Sequence, residues 1–242
     1  MATARFRFHG ELADFIARER RGIAFDYACA RAATIKHAIE SLGVPHTEAG
    51  RLLVNSLPAT LPRIVREGDT IEVFPHSTAD ISPGEIPEFV ADAHLGGLAR
   101  MLRMLGINTL FENAISDSKI IELAMRERRI VLTRDRELLK IRGVARGCFV
   151  HALKPEVQLR EVAARYRLER HMRPFTLCLH CNSRLEAVEK SAVKGHIPER
   201  ITERYSEFMR CPGCWRIYWQ GSHWARMREM LGASLAIQIP AI

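Results

Sequence analysis

Three aspartates stand where the chain changes from a β-type run to a helical run. Asp92 ends the run EFVAD, Asp117 follows INTLFEN, and Asp135 follows IVLTR. In a parallel α/β sheet, ligands bind at the carboxyl ends of the strands. Three carboxylates brought together there would repel one another unless a divalent cation lay between them. The pattern therefore predicts a Mg²⁺ or Mn²⁺ site for phosphoryl transfer.

Several of these acidic and basic residues also have an ordinary structural interpretation. Asp117 could cap the helix that begins SDSKIIE, and Asp135 could cap RDRELL, because aspartate is a preferred N-cap residue. Arg100 and Arg103 follow Asp92 on one predicted helix face. They would suit backbone phosphates, or they could form a solvated helix surface.

Four of the six cysteines form two CxxC pairs. The pairs Cys178–Cys181 and Cys211–Cys214 flank a 29-residue insert. Each CxxC turn can place two thiolates on one metal, and two such turns complete a tetrahedral Zn²⁺ shell. A disulfide or redox pair is the alternative. Cys29 and Cys148 lie in apolar runs and are expected to be small core residues.

An aromatic and basic stretch, WRIYWQGSHWARMR, follows the second cysteine pair. Residues 160–228 hold fourteen Lys/Arg and seven Asp/Glu, whereas residues 1–80 are neutral. Concentrated positive charge and aromatic faces suit single-stranded RNA. A solvated basic surface, with the tryptophans packed inside the protein, is the alternative. The predicted RNA-binding residues are Arg100, Arg103, Arg134, Arg216, Trp219 and His223.

Residues 1–76 contain the first group of predicted strands and helices. Their order of strand, strand, helix, strand, strand is similar to a ubiquitin-like β-grasp domain and to the small sulfur-carrier proteins. Those carriers use a free C-terminal Gly-Gly, whereas Phe74–Pro75–His76 runs on into the next segment. We therefore expect a structural or substrate-orienting module that could also bind a protein partner, and no carrier chemistry.

The rest of the chain divides into three segments. Residues 77–87 are rich in turn-forming types and are predicted to be a linker. Residues 88–170 alternate strands with helices, which predicts an α/β domain with a mostly parallel, doubly wound sheet. Residues 171–242 are predicted to form a zinc ribbon and a C-terminal tail.

Composition excludes some classes of protein. The 242 residues are 47% hydrophobic and 26% charged, which is typical of a globular protein. The sequence contains no apolar run long enough to span a membrane. Its start, MATARFRFHGEL, lacks the apolar core of a signal peptide, so we expect a cytoplasmic location.

Three motifs, in order and spacing, resemble the PIN-like domain of the mut-seven C-terminal RNase family: DAHLGGLARMLRMLG, SDSKIIELA and VLTRDREL. The run YWQGSHW is a further match. Members of that family commonly carry an N-terminal ubiquitin-like domain and a C-terminal zinc ribbon. The resemblance implies a PIN-like fold and divalent-metal-dependent cleavage of RNA. By position, the family's acidic residues correspond to Asp92, Asp117 and Asp135.

The sequence departs from the family pattern at two places. PIN nucleases usually present a fourth acidic residue after the second strand, where only Glu112 lies nearby. Asn108 stands where the family often has aspartate. Two alternatives therefore stay open: a non-catalytic RNA-binding protein with a degenerate PIN-like site, and a Mg²⁺-dependent hydrolase of small phosphate esters.

Overall fold

The computed structural model describes residues 1–76 and 85–239. The chain divides into two compact units, each made of two segments: Met1–Glu85 with Ser116–Phe149, and Ile86–Ile115 with Val150–Ile242. Residues 77–84 of the predicted linker lie outside the described part. The domain boundaries given in the sequence analysis stay a prediction. Across the described ranges, no helix has the length and apolarity needed to cross a bilayer.

The first segment of the first unit forms one mixed sheet and one helix. Its elements are β1 (Ala2–Phe8), β2 (Phe25–Cys29), α1 (Ile35–Ser41), β3 (Ala49–Val54), β4 (Leu57–Ala59) and β5 (Thr70–Pro75). The strand order is β2-β1-β5-β3-β4. Strand β1 runs parallel to β5 and antiparallel to β2, which is the predicted β-grasp arrangement.

Local sequence explains these elements. Alternation along β1 buries Ala4, Phe6 and Phe8 on one face of the sheet. Thr34 caps α1, because its Oγ1 accepts a hydrogen bond from the His37 N–H at 3.2 Å. The strand and the helix occupy their places in the predicted order of elements.

From residue 86 onward, strands alternate with helices as predicted. The elements are β6 (Phe89–Ala91), α2 (Gly96–Met104), β7 (Thr109–Leu110), α3 (Asp117–Glu127), β8 (Ile130–Thr133), α4 (Arg136–Lys140), β9 (Gly147–Phe149) and α5 (Pro155–Tyr166). In the second unit β6 runs parallel to β7, and in the first unit β8 runs parallel to β9. Parallel pairing of the strands is therefore confirmed.

Within the first unit, the β-grasp segment and the strand β9 are hydrogen-bonded to each other. Glu48, which is 1% exposed, accepts a bond from the Phe149 N–H at 2.7 Å. His46 Nε2 lies 3.0 Å from the Val144 carbonyl oxygen. The face of the β-grasp segment near residues 46–48 is therefore occupied by the same chain.

Residues 171–239 hold a small antiparallel sheet and two helices. They contain β10 (Glu186–Val188), α6 (Glu199–Arg204), β11 (Phe208–Arg210), β12 (Ile217–Tyr218) and α7 (Ser222–Leu235), with strand order β10-β11-β12. The sequence analysis predicted a zinc ribbon and a C-terminal tail here and did not predict the helix α7. Met227 and Leu231 are its buried apolar residues, and residues 240–242 lie outside the described part.

Candidate functional site

Asp92 lies directly after β6. It precedes a 3₁₀ turn, Ala93–Leu95, and its side chain makes no capping hydrogen bond to that turn. Its carbonyl oxygen accepts from the Leu95 N–H at 2.9 Å, which fixes the backbone. The side chain is half-buried at the end of the strand, as expected for a residue that presents a carboxylate from a rigid position.

Asp117 is the exposed first residue of α3 and is not its cap. Ser116 takes that role, because its Oγ accepts from the Lys119 N–H at 3.3 Å. The capping interpretation of Asp117 is therefore wrong. Its carboxylate lies in the first helical turn, where the helix dipole favours a negative charge.

Asp135 does cap a helix. Its Oδ1 accepts from the Glu137 N–H at 2.8 Å at the start of α4. Its own N–H donates to Thr133 Oγ1 at 2.9 Å, so the turn after β8 is fixed on both sides. A carboxylate has about four acceptor positions on its two oxygens, so one capping bond leaves capacity for a cation. A shared site for Asp92, Asp117 and Asp135 remains a prediction.

The burial of Arg103 contradicts its predicted role in RNA binding. Its side chain is 3% exposed and is therefore not available to an RNA phosphate. The guanidinium donates to four carbonyl oxygens, those of Thr109 (2.9 Å), His180 (2.8 Å), Leu179 (3.3 Å) and Phe111 (3.4 Å). Arg103 thus ties α2 to the first cysteine turn.

The other predicted residues around α2 and β7 are placed differently. Arg100 is exposed on α2, Arg134 is half-buried, and Glu112 is exposed after β7. Gly96, the first residue of α2, lies against Phe111: a Cβ at this position would lie 2.7 Å from the Phe111 ring. This glycine therefore serves packing within the domain.

Asn108 has a structural role that an aspartate could not fill. Its Nδ2 donates to Glu88 Oε1 at 2.9 Å, and its Oδ1 accepts from Asn182 Nδ2 at 2.6 Å. Asn182 Oδ1 also accepts from the Thr109 N–H at 3.0 Å. An aspartate at position 108 could not donate to Glu88 and would face it with a like charge.

The structure brings the four cysteines of the two CxxC pairs together. Their sulfurs all lie within 4.8 Å of one another, with Cys178 and Cys214 3.5 Å apart and Cys181 and Cys211 3.3 Å apart. A tetrahedral Zn²⁺ with Zn–S bonds of about 2.3 Å needs sulfurs about 3.8 Å apart. All six cysteines are free thiols, so the disulfide alternative is wrong. Cys29 and Cys148 are buried core residues, as predicted.

The two cysteine turns have the same backbone geometry. The residue after the second cysteine donates its N–H to the carbonyl of the first, in Asn182 to Cys178 and in Trp215 to Cys211, both at 2.9 Å. Both residues have positive φ, 69° and 62°. Each turn is therefore a rigid loop that points two sulfurs at one position.

Burial and hydrogen bonding act differently on the thiols of the cluster. Burial would raise the pKa of the Cys181 thiol, but hydrogen bonds with Ser183 bring it down to about 6. Burial raises the pKa of the neighbouring Cys211 to about 12. An Arg216 N–H donates to Cys214 Sγ at 3.7 Å. A divalent metal would be needed to hold all four sulfurs as thiolates at neutral pH.

The aromatic residues after the second cysteine pair divide into packed and exposed ones. Trp224 packs on Phe175, with ring centroids 5.1 Å apart, and Trp219 is half-buried. His223 and Arg216 are exposed. Trp215, which the sequence analysis did not select, is 67% exposed.

Comparison with known proteins agrees with the resemblance found in the sequence. The Mut7-C RNAse domain model matches residues 87–231, more than half of the chain, and the Mut7-C ubiquitin model matches residues 1–80. Two crystal structures of Haloferax volcanii small archaeal modifier protein 1 (SAMP1) are 20% and 18% identical. Each match covers 31% of this chain. The matches cover 98% and 97% of the two SAMP1 chains, with TM-scores of 0.25 and 0.26. Among curated proteins there is no match. The chain belongs to the Mut7-C RNAse domain family and carries a Mut7-C ubiquitin domain over residues 1–80.

Proposed function

We propose that this chain is a divalent-metal-dependent ribonuclease. The observation that carries the proposal is the match of residues 87–231 to a family of RNAse domains. That range contains Asp92, Asp117 and Asp135, each of which stands after a strand or at a helix start. Such positions suit a reaction that needs carboxylates in fixed places.

The chemistry of these donors fits Mg²⁺ or Mn²⁺. Both ions prefer carboxylate oxygens and retained water, which three partly or fully exposed aspartates could supply. When bound, the ion would neutralise charge on the scissile phosphate and promote ionisation of the attacking water. Hydrolysis would leave a phosphate on one new RNA end and a hydroxyl on the other. Glu112, exposed after β7, is the proposed fourth acidic residue.

The cysteine cluster fits a structural Zn²⁺ rather than a catalytic one. Four sulfurs would close the coordination shell and leave no position for substrate. The apolar core at this site is small, with Cys178, Leu185 and Cys211 buried, so a metal would add much of the stability. We propose that RNA contacts Arg100, Arg134, Arg216, Trp219 and His223, and that Arg103 is not among the contacts.

The direct test is cleavage of an unstructured RNA by the full chain, with Mn²⁺, with Mg²⁺ and with a chelator. We expect cleavage only with a divalent ion, and a loss of about 100-fold or more in Asp135→Asn, since the metal supplies several kcal/mol at the transition state. Asparagine keeps the cap of α4, so this variant should fold. Asp26→Asn, at an exposed pair with Arg5, is the matched control. Equal rates in Asp135→Asn and wild type would rule out the proposed site.

The second candidate is a non-catalytic RNA-binding protein. It is favoured by the use of Asp135 Oδ1 as a helix cap and of the Asn108 amide in a structural network. For this candidate we expect RNA binding that persists with a chelator and no cleavage with any divalent ion. Measuring binding and cleavage on the same RNA separates the two functions.

A further inference from the structure

Trp215 is the most exposed of the three tryptophans. Its side chain is 67% exposed, whereas Trp219 and Trp224 are half-buried. Burying a tryptophan is strongly favourable, so one left in water on a fixed turn contributes little to the fold. The alternative that it packs inside the protein does not apply to this residue.

The backbone at Trp215 is unfavourable for a bulky side chain. Its φ is 62°, in the left-handed region that favours glycine and asparagine. The equivalent position in the first cysteine turn is Asn182, with φ 69°, which is a residue type that tolerates this conformation. The second turn thus keeps a tryptophan at a position where asparagine would fit with less strain, and such strain tends to occur at functional positions.

The surroundings of Trp215 carry positive charge. The Arg210 guanidinium lies over the indole, 4.9 Å from the ring centroid, and holds the ring in place by a cation–π contact. Arg216 follows directly and is exposed. An aromatic ring with a guanidinium on one face can stack its other face on an unpaired base, while nearby arginines attract the flanking phosphates.

We infer that Trp215 is a stacking platform for one unpaired base of a single-stranded RNA. The inference rests on the proposed RNA substrate and adds a site on the cysteine turn that the predicted RNA-binding residues did not include. Arg210 is the positioning residue for the ring. The contact is with the flat face of a base, so it fits any of the four bases and does not select a sequence.

The test measures RNA affinity of full-length protein carrying Asp92→Asn to prevent cleavage. The probes are a fluorescent oligouridine of about twelve nucleotides and an abasic strand with the same number of phosphates. We expect Trp215→Asn to weaken oligouridine binding about 5- to 150-fold, the range that one stacked base supplies. Binding of the abasic strand should not change. Trp215→Phe should keep most of the affinity.

Two controls make the result decisive. Trp215→Asn reproduces the residue found at the equivalent position 182, so its zinc content should match that of the parent and its unfolding midpoint should be no lower. Leu57→Asn, at a residue 69% exposed in β4, should leave affinity unchanged. Oligouridine affinity equal to the parent's, or an equal loss with the abasic strand, would overturn the stacking site. If wild type cleaves RNA in that case, the proposed function stands; if wild type neither binds nor cleaves, both fail.

Discussion

Replacing Arg103 by methionine tests whether this residue holds the cysteine turn or contacts RNA. Methionine keeps the apolar stem and removes the guanidinium, which donates to carbonyl oxygens on β7, on the loop after it and on the first cysteine turn. We therefore expect lower stability and weaker retention of zinc, because Leu179 and His180 lie between the two cysteines of the first pair.

The size of the effect follows from the two shortest bonds. The carbonyl oxygen of Thr109 is buried and that of His180 is partly buried, and they accept at 2.9 and 2.8 Å. An acceptor left unsatisfied costs about 1–3 kcal/mol, so the loss of both predicts a fall of about 2–5 kcal/mol in the free energy of unfolding. That is a large share of the roughly 5–15 kcal/mol that stabilises a typical domain.

The assay combines urea unfolding with the rate at which a chelator removes zinc. Arg100→Met is the matched control, because Arg100 is exposed on the same helix and should change stability by no more than about 0.5 kcal/mol. The reasoning is refuted if Arg103→Met unfolds and releases zinc as wild type does but loses RNA affinity. That result would return Arg103 to the phosphate-binding role predicted from the sequence.

Three further predictions concern folding. Gly106→Ala should lower the free energy of unfolding by about 3 kcal/mol or more. The φ of Gly106 is 77°, and a Cβ there would lie 2.0 Å from the Arg173 carbonyl oxygen. Thermal unfolding of the variant and the wild type measures this loss of stability. Asp69→Asn should cost about 1.5–3 kcal/mol at pH 7, because it weakens the charge-assisted hydrogen bonds from Arg63 at 2.7 and 3.2 Å; the same Arg63 hydrogen bond lowers the pKa of Asp69. That stabilisation is complete above about pH 4 and is lost as pH falls through the lowered pKa, so the two unfolding curves should converge in acid. Cys211→Ser should lower zinc content and increase proteolysis after residue 171, whereas Cys29→Ser should keep the zinc.

Local elements could be predicted wherever their signals lie in neighbouring residues. The run TIEVFP forms the strand β5, and Thr34 stands next to the helix that it caps. For α3 the cap is Ser116 and not the predicted Asp117. The run INTLFE was expected to form one strand, but the strand β7 covers only Thr109–Leu110. The side chain of Asn108 is hydrogen-bonded to Asn182 before this strand, and the Phe111 ring packs at Gly96 after it. Partners so far away in sequence are not visible in a local pattern.

The cysteine cluster was more predictable than its surroundings. Spacing alone identified the four cysteines, since CxxC turns fix their own geometry. Arg103 was wrongly assigned to RNA binding because two of the four carbonyl oxygens that accept from it belong to Leu179 and His180, which lie 76 and 77 positions later in the chain. A comparison of Trp215 with Asn182, each following a CxxC pair, was the sequence signal that could have singled out Trp215.

We propose above all that Asp92 belongs to a metal-dependent site that cleaves RNA. The most direct measurement is the single-turnover rate of cleavage of one single-stranded RNA in Mn²⁺, at saturating protein, for wild type and Asp92→Asn. Asparagine keeps the size of the side chain and removes its charge. We predict a rate at least about 100-fold lower in the variant, with unchanged RNA affinity. Equal rates in the two proteins would contradict the account.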